Sequence, residues 1–371
     1  MSHPHKIRDH VSFPVSRVHM ELTNACNFDC AFCPNSLMTR RKGSMELSLA
    51  QKVIDELARE QLAQKLTFHV MGEPLLHPRI FEILEYGRRQ GVNLGLTTNG
   101  SLFRPDVTER LLALDLQQVN LSLQTPDEAS FALRRARSLD PQDYFQQILQ
   151  FIDTAHHRSS PMTIKLHLLN SWRLPQLGEV GDGSGEAIRV INDADRLHEA
   201  LRSWVRQIYR LPGIRSEGRE ERVLKAIDSV SFKRWNVLEI YPNLYLETYL
   251  LDDWGSSLRH GPVRRARIGY CPAIVDHFAI LWNGDLTLCC RDYDGRTALG
   301  NVRDRSLIET LSAPEALSIL RDFRRYRVRH PYCQKCLGGG TWAETWLKQV
   351  GSILLWKILK KYLYVNRRLY V

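Results

Sequence analysis

The sequence predicts an α/β fold in which helices cover a parallel sheet that closes into a barrel or part of one. Between residues 18 and 250, short segments with the period of strands alternate with longer segments with the period of helices. Such alternation implies right-handed crossovers between parallel strands. The chain has 371 residues, 43% of them hydrophobic and 25% charged, which is typical of a globular protein with two or three domains.

Six strands and the helices between them account for this alternation. The strands are expected in 18–23, 65–72, 93–100, 118–125, 162–169 and within 236–250. The helices are expected in 48–62, 79–91, 105–115, 143–157 and 193–211. Two stretches interrupt the pattern, and we interpret both as surface connections: a loop in 178–186 and a charged helix start in 215–222.

The chain changes in character after Gly261. Residues 277–290 resemble a β-hairpin, and the Asn283-Gly284 pair in its centre favours a type I′ turn. A small separate domain with its own metal site is therefore expected to follow the barrel.

The last segment is predicted to be an amphipathic basic helix. We therefore divide the chain into a partial six-unit barrel in 1–260, a small hairpin domain in 261–340 and this helix in 341–371. The helix is expected to pack on the barrel, and the alternative is peripheral contact with an anionic membrane.

Eight cysteines lie at the two ends of the chain, at positions 26, 30, 33, 271, 289, 290, 333 and 336. The sequence shows neither the apolar stretch of a signal peptide nor an uncharged run approaching the roughly 18 to 20 residues that span a bilayer. We therefore expect a cytoplasmic protein, in which clustered cysteines bind metal or perform redox chemistry.

The net charge is +10, which by itself suggests nucleic-acid binding. The basic residues are spread along the chain, with local excesses in 134–137, 264–267 and 321–329 and near the C-terminus. We expect solvated basic faces, an anionic cofactor or an acidic partner, and no nucleic acid.

Cys26, Cys30 and Cys33 form a C-x3-C-x2-C group directly after the first predicted strand. Three thiolates from one loop can hold an iron–sulfur cube and leave the fourth iron without a protein ligand. The alternatives are buried thiols or a zinc site, which would need a fourth cysteine or histidine nearby.

This spacing resembles the signature of the radical S-adenosylmethionine (SAM) superfamily, and the resemblance covers most of the chain. It implies that the open iron binds SAM. The family's motifs at the ends of successive strands resemble MGEP at 71–74, TTNG at 97–100 and Ser122, although Met71 stands where the family has glycine. By resemblance, the residues that contact SAM are Phe32, Gly72, Glu73, Pro74, Thr98, Asn99 and Ser122.

Three arginines follow the fourth strand, at positions 134, 135 and 137. One of them is expected to pair with the SAM carboxylate through two hydrogen bonds. The alternative is a solvated basic face.

Cys271, Cys289, Cys333 and Cys336 form a second group, in which two ligands flank the hairpin and two lie on a C-x2-C turn. On spacing alone, four thiolates suit either a closed four-iron cluster or structural zinc. The region resembles the SPASM/twitch domain of radical SAM enzymes, and the absence of cysteine after Cys336 matches the shorter pattern with one auxiliary 4Fe–4S cluster. Cys290 is expected to be a buried thiol.

The resemblance implies an enzyme with two 4Fe–4S clusters, SAM and a flavodoxin- or ferredoxin-like electron donor. The leading hypothesis is the branch similar to 2-deoxy-scyllo-inosamine dehydrogenase, which would oxidise a secondary alcohol of a sugar or aminocyclitol-like metabolite. The first alternative is maturation of a ribosomally made peptide, which the short segment before Cys26 disfavours. An epimerase would need a hydrogen-donating thiol, and 34–270 contains no cysteine. An iron–sulfur carrier or nucleic-acid-binding protein is the non-enzymatic alternative.

The sequence does not identify the general base. Asp292, Tyr293 and Asp294 follow the hairpin, but their segment is also typical of a turn. His19 and Glu21 alternate on the first strand and are candidates for the barrel interior, with core packing as the alternative.

Overall fold

One eleven-stranded sheet organises the fold. The computed structural model describes residues 11–136, 138–174, 177, 179–181, 186–259, 261–359 and 368–369. Arg137, much of the loop expected in 178–186 and most of the chain after residue 359 lie outside the described residues.

The strands are numbered in chain order. They are β1 Arg17–Met20, β2 Leu66–Phe68, β3 Leu94–Thr98, β4 Gln118–Gln124, β5 Thr163–Asn170, β6 Asn236–Tyr241, β7 Leu244–Leu250, β8 His277–Ile280, β9 Asp285–Thr287, β10 Ala298–Asn301 and β11 Arg368–Leu369. Their order in the sheet is β10-β9-β8-β1-β2-β3-β4-β5-β7-β6-β11. Six strands that are adjacent in the sheet, β1, β2, β3, β4, β5 and β7, are all parallel to one another. This confirms the predicted partial barrel.

Helices connect these strands and cover the outer side of the sheet. They are α1 Leu47–Arg59, α2 Ile80–Arg89, α3 Pro105–Ala113, α4 Glu128–Phe131, α5 Pro141–His157, α6 Ala194–Tyr209, α7 Arg219–Ala226, α8 Leu307–Leu311, α9 Pro314–Arg324, α10 Pro331–Cys336 and α11 Trp342–Leu354. A π-helical turn, Leu355–Leu359, continues α11. Alternate residues of β4 and β5 are buried in the apolar core, whereas the residues between them face the barrel interior.

The sixth strand expected within 236–250 is β7, which occupies the second half of that segment. The first half forms the additional strand β6, which pairs antiparallel with β7 because Asn243 adopts a left-handed φ of 62° and reverses the chain. The type I′ turn expected at Asn283-Gly284 is wrong. In the later hairpin, Gly284 has a φ of 95° but Asn283 does not have a positive φ. Leu281 N donates to Asp285 O and Gly284 N donates to Leu281 O, so the loop has three residues and is not type I′.

The hairpin of the C-terminal half extends the barrel sheet. β8 lies parallel to β1, with His19 opposite Ala279, and β9 and β10 follow as antiparallel neighbours. The two cysteine-bearing regions are therefore attached to the same edge of the barrel.

Candidate functional site

The loop after β1 presents the first group of thiols. Cys26, Cys30 and Cys33 are free and half-buried. Burial raises the pKa of all three, that of Cys26 to about 11. Negative charge on Cys30 and Cys26 raises the pKa of Cys33 further. The buried Arg134 guanidinium opposes these shifts at every one of the three positions.

The segment after β2 packs directly against this loop. Gly72 has a φ of 76°, and a Cβ there would collide with the carbonyl oxygens of Thr23 and Ala25. The next residue, Glu73, donates its backbone N–H to Ala25 O at 2.8 Å. Glycine at this position therefore lets the second strand end approach the cysteine loop closely.

Hydrogen bonds join the motifs that follow β2 and β3. The buried Glu73 carboxylate accepts from Thr98 Oγ1 at 2.8 Å, from Asn99 N at 2.7 Å and from Leu75 N at 3.0 Å. Burial raises the pKa of Glu73, and these donors oppose the shift. Asn99 Nδ2 lies 4.0 Å from Cys26 Sγ. Three residues expected to contact SAM thus form one network beside the first thiols.

Two other residues of the predicted SAM site lie on the same side of the barrel. Pro74 is buried at the start of a short 3-10 helix, Pro74–Leu76. Ser122 is half-buried on the inner face of β4, two residues before the strand ends. Their positions follow from the carboxyl ends of parallel strands, which meet at one mouth of a barrel.

Phe32 and Arg134 are packed together beneath the cysteine loop. Phe32 is buried, and its carbonyl accepts a hydrogen bond from Trp254 Nε1 at 3.0 Å. The Arg134 guanidinium lies 4.7 Å from the centre of the Phe28 ring and donates to Gln124 Oε1 at 2.5 Å. Of the arginines after β4 that the structure describes, Arg134 is the buried one, and its charge lowers the pKa of all three thiols.

The second group of thiols comes from three segments. Cys271 precedes β8, Cys289 follows β9, and Cys333 and Cys336 lie on α10. All four are free and half-buried. Burial raises the pKa of Cys271 to about 12 and also raises the pKa of the other three. Charge on Cys336 raises the pKa of the remaining members further.

Cys290 packs differently from its neighbour. Cys289 contacts the main core, whereas Cys290 and Cys33 contact a smaller apolar cluster that includes Met71 and Tyr293. Cys290, expected to be a buried thiol, is half-buried, and it faces a different side of the hairpin arm from Cys289.

Both groups have the donor chemistry of iron–sulfur clusters. The first supplies three thiols from one loop, and the second supplies four thiols from three segments. Gly255, with a φ of 63°, packs so closely that a Cβ would lie 2.8 Å from Cys336 Sγ. Among the described residues, no group of three or more His, Cys, Asp or Glu side chains is arranged to hold a single metal ion.

Arg40 connects the two regions. Its Nη2 lies 2.8 Å from both carboxylate oxygens of Glu21, and its Nε donates to Tyr293 O at 2.8 Å. Next to it, Thr39 Oγ1 donates to Asp294 Oδ2 at 2.7 Å. The loop after the first thiols is therefore attached to the turn after the second-site hairpin.

The acidic residues of that turn have structural partners. Asp292 is buried and accepts from Thr297 N at 2.5 Å and from Thr297 Oγ1 at 2.7 Å. Asp294 accepts from Thr39, and Tyr293 is buried in the small apolar cluster. The turn interpretation accounts for all three side chains.

His19 and Glu21, the candidates for the general base on the first strand, also have hydrogen-bonding partners. His19 Nδ1 lies 2.8 Å from Thr67 Oγ1, and burial lowers the pKa of His19 well below its usual value. Burial raises the pKa of Glu21 to about 7, although Arg40 opposes the shift. Glu21 therefore belongs to the connection between the two regions.

A polar cluster inside the barrel was not identified from the sequence. Lys165 Nζ lies 2.6 Å from Glu247 Oε1, and Tyr249 donates to Glu247 Oε2 at 2.5 Å. His167 Nε2 is 3.7 Å from the same carboxylate. Burial lowers the pKa of His167 to about 4, and the charge of His69, on a non-adjacent strand end, contributes to this. The alternation of Lys165 and His167 in β5 indicates that both side chains lie on one face of the strand. That Glu247 is their partner follows only from the β5–β7 register, which the sequence does not show.

Comparisons with known families match two regions of the chain, and these regions contain the two groups of cysteines. Residues 20–172 match the radical SAM superfamily, and residues 271–337 match SPASM, an iron–sulfur cluster-binding domain. Fold and site thus define an enzyme that uses iron–sulfur clusters. More particularly, the chain combines a radical SAM domain with a SPASM domain, which implies 4Fe–4S clusters and SAM as cofactors and confirms those expectations.

Individual relatives cover parts of the chain. The mycofactocin maturase MftC of Mycobacterium ulcerans is 29% identical over 174 residues, which is 46% of this chain and 45% of that protein. The AdoMet-dependent heme synthase of Methanosarcina barkeri is 35% identical over 104 residues, 28% of this chain and 29% of that protein. The chain therefore spans less than half the length of these curated relatives.

Solved structures share the fold. The structure of Streptococcus suis SuiB bound to S-adenosylmethionine has a TM-score of 0.52 at 14% identity, over 83% of this chain and 68% of that chain. At this identity the likeness concerns the fold alone. Among the described residues, no helix is long and apolar enough to cross a membrane.

Proposed function

We propose that the protein is a radical SAM oxidoreductase of the 2-deoxy-scyllo-inosamine dehydrogenase-like branch, which oxidises a secondary alcohol of a sugar or aminocyclitol-like metabolite. The observation that carries this proposal is the polar cluster of Lys165, His167, Glu247 and Tyr249 on the inner faces of β5 and β7. Hydrogen-bonding side chains inside a barrel suit a polyol better than an apolar substrate.

The cofactors would be held at the mouth of the barrel. Cys26, Cys30 and Cys33 would hold the SAM-binding cluster, and the second group of four thiols would hold the auxiliary cluster. The network of Glu73 and Asn99 would face SAM. When bound, the first cluster and SAM supply a 5′-deoxyadenosyl radical that takes a hydrogen atom from a C–H bond, and the auxiliary cluster supplies a one-electron acceptor.

Formation of a carbonyl also requires that the alcohol proton be removed, and we assign this role to His167. Its imidazole is neutral near pH 7, because burial lowers its pKa to about 4. The Glu247 carboxylate is 3.7 Å away and stabilises the imidazolium that forms on protonation. Lys165 and Tyr249 hold this carboxylate in place.

Anaerobic reconstitution with iron, sulfide, SAM and dithionite tests the proposal. Polyols carrying deuterium on the carbinol carbon should transfer deuterium to 5′-deoxyadenosine and yield a ketone. A Cys26→Ala variant should produce neither compound. If wild-type protein forms no 5′-deoxyadenosine with any substrate, the proposed class of reaction is wrong.

The role of His167 is tested separately. His167→Gln should retain deuterium transfer but form ketone roughly 100-fold more slowly, since general bases contribute about 10²- to 10⁴-fold. His69→Gln is the matched control, because it removes another half-buried imidazole whose pKa is lowered to about 4. Equal losses in both variants would remove His167 from the mechanism without affecting the proposed oxidation.

Peptide maturation is the second candidate, and the similarity to a mycofactocin maturase over 174 residues favours it. The polar interior would then receive a side chain of a ribosomally made peptide. The two candidates differ in substrate, so genes adjacent to this one and mass spectrometry of a co-expressed short peptide distinguish them. A mass change in the peptide, without oxidation of any polyol, would replace the first proposal.

The proposed reaction needs a reductant and a reducing compartment. We assign the first electron to a flavodoxin- or ferredoxin-like donor and place the enzyme in the cytoplasm. The eight free cysteines support this location, because an oxidising compartment favours disulfides.

A further inference from the structure

Exposed apolar side chains are concentrated in one region. Eleven large apolar residues are exposed among the residues that the structure describes, and seven of them belong to α11, its π-helical continuation and two adjacent segments. The most exposed are Trp342 at 72%, Ile358 at 56%, Ile268 at 55% and Trp346 at 52%. Large apolar patches of this kind mark interaction surfaces.

Backbone contacts bring the three segments together. Gln349 Oε1 accepts from Ile268 N at 2.9 Å, and Gln349 shares a face of α11 with Trp342 and Trp346, which lie seven and three residues before it. Ile268 pairs as an isolated antiparallel bridge with Arg327. Residues 264–270, 326–329 and 342–359 therefore form one surface, called here the α11 surface.

Basic residues surround this apolar centre. The segment 264–267 contributes three exposed arginines and no acidic residue, and 321–329 contributes five exposed arginines and one acid, Asp322, which pairs with Arg329. Lys357 Nζ lies 4.0 Å from the centre of the Tyr270 ring at one end of the surface.

We propose that the α11 surface binds a membrane surface that contains anionic lipid. Tryptophan and aliphatic side chains would enter the boundary between headgroups and acyl chains, and the arginines would lie against lipid phosphates. This combination favours a lipid surface over a nucleic acid, because the exposed aliphatic side chains of Ile268 and Ile358 can neither pair with phosphates nor stack on bases as an aromatic ring does. The proposal is independent of the reaction that the barrel catalyses.

Sedimentation of the reconstituted full-length protein with vesicles tests the proposal. Binding to phosphatidylcholine vesicles should be weak and should increase when phosphatidylglycerol is included. Arg267→Gln with Arg327→Gln should weaken binding by roughly fivefold for each arginine removed, since a basic residue near an anionic surface contributes about 1 kcal/mol. Trp342→Ala with Trp346→Ala should weaken binding even where the arginines are retained.

Matched control variants make the result specific. Lys233→Gln with Arg234→Gln removes two exposed charges elsewhere, and Leu174→Ala removes an exposed apolar side chain elsewhere. Both should bind as the wild type does. Binding that is equal for neutral and anionic vesicles, or equal losses in test and control variants, would overturn the proposal. So would a stable dimer that Trp342→Glu converts to monomer while vesicle binding is absent.

Discussion

At the scale of single residues, the glycine beside the second thiol group makes the sharpest prediction. Gly255 has a φ of 63°, and a Cβ would lie 2.8 Å from Cys336 Sγ. Gly255→Ala should therefore displace Cys336 and lower the iron and sulfide content of reconstituted protein from two clusters toward one. The measurement is iron and acid-labile sulfide per chain.

A substitution at a second glycine is the control that distinguishes the effect of this clash from the effect of backbone strain. Gly261 has a φ of 84°, and a Cβ there would meet no atom within 4 Å. Gly261→Ala should cost about 1 kcal/mol for the left-handed conformation but retain both clusters. If the two variants lose iron equally, contact with Cys336 is not the cause.

The buried Glu21 predicts a pH dependence of stability. Burial raises its pKa from 4.5 to about 7, with Arg40 opposing. Between these two pH values the folded protein holds a proton that the unfolded chain has released, so the free energy of unfolding falls as pH rises. At pH values above the pKa of Glu21 in the folded protein, the loss of unfolding free energy should reach about 3 kcal/mol. The Glu21→Gln variant should show no such loss. Urea unfolding of both proteins on either side of this window measures it, and equal pH slopes would contradict the assignment.

How far the sequence predicts the site depends on how local each signal is. Cys26, Cys30 and Cys33 lie in one loop, so their spacing alone indicates a common ligand. Lys165 and Glu247 are 82 positions apart, and they meet only because Lys165 is opposite Tyr245 in the β5–β7 register. Such a register cannot be obtained from local pattern, because many alignments of two alternating strands bury the same apolar face.

At the scale of secondary structure elements, a buried carboxylate in the first turn of α11 is expected to hold this helix in place. Glu344 is buried in its first turn, where it pairs with Arg259 and accepts from Gly340 N at 2.9 Å. Glu344→Ala should leave Arg259 without its partner and cost about 3 to 5 kcal/mol. We expect hydrogen exchange to accelerate in Trp342–Leu354 more than in the barrel strands.

Glu315→Ala is the control for this prediction. Glu315 also lies in the first turn of a helix, α9, but it is exposed. Its removal should cost only about 0.3 to 1 kcal/mol, the usual contribution of an acidic residue near a helix N-terminus. Similar exchange in both variants would show that α11 does not depend on the buried pair.

Elements themselves were predicted better than the turns between them. The periodicity of 236–250 indicates an extended segment, but it does not show that Asn243 reverses the chain, since asparagine is only one of several residues that tolerate a left-handed φ. In the later hairpin, Asn-Gly is compatible with two loops of different length. Only the pairing of Leu281 with Asp285 distinguishes them.

At the scale of the whole molecule, the sequence suggests separate halves, whereas the sheet is continuous through β8 and β1. No local pattern predicts this pairing, because β1 and β8 are separated by the entire barrel. Arg40 adds a second connection by joining Glu21 to the Tyr293 carbonyl. We therefore expect changes at Arg40 to affect both halves of the molecule.

Arg40→Met should raise the pKa of the buried Glu21 further, so its cost of about 3 to 5 kcal/mol of unfolding free energy should appear above pH 7, where the carboxylate would be charged without its partner. Combining it with Glu21→Gln should recover much of this loss, since no unpaired charge then remains buried. Hydrogen exchange of the Arg40→Met holoprotein should accelerate both in 34–44 and in 291–296, which are joined only through space. Arg41→Met, which changes an exposed neighbour, should leave both segments protected. Acceleration confined to 34–44 would mean that Arg40 does not couple the loop of the first thiols to the turn of the second.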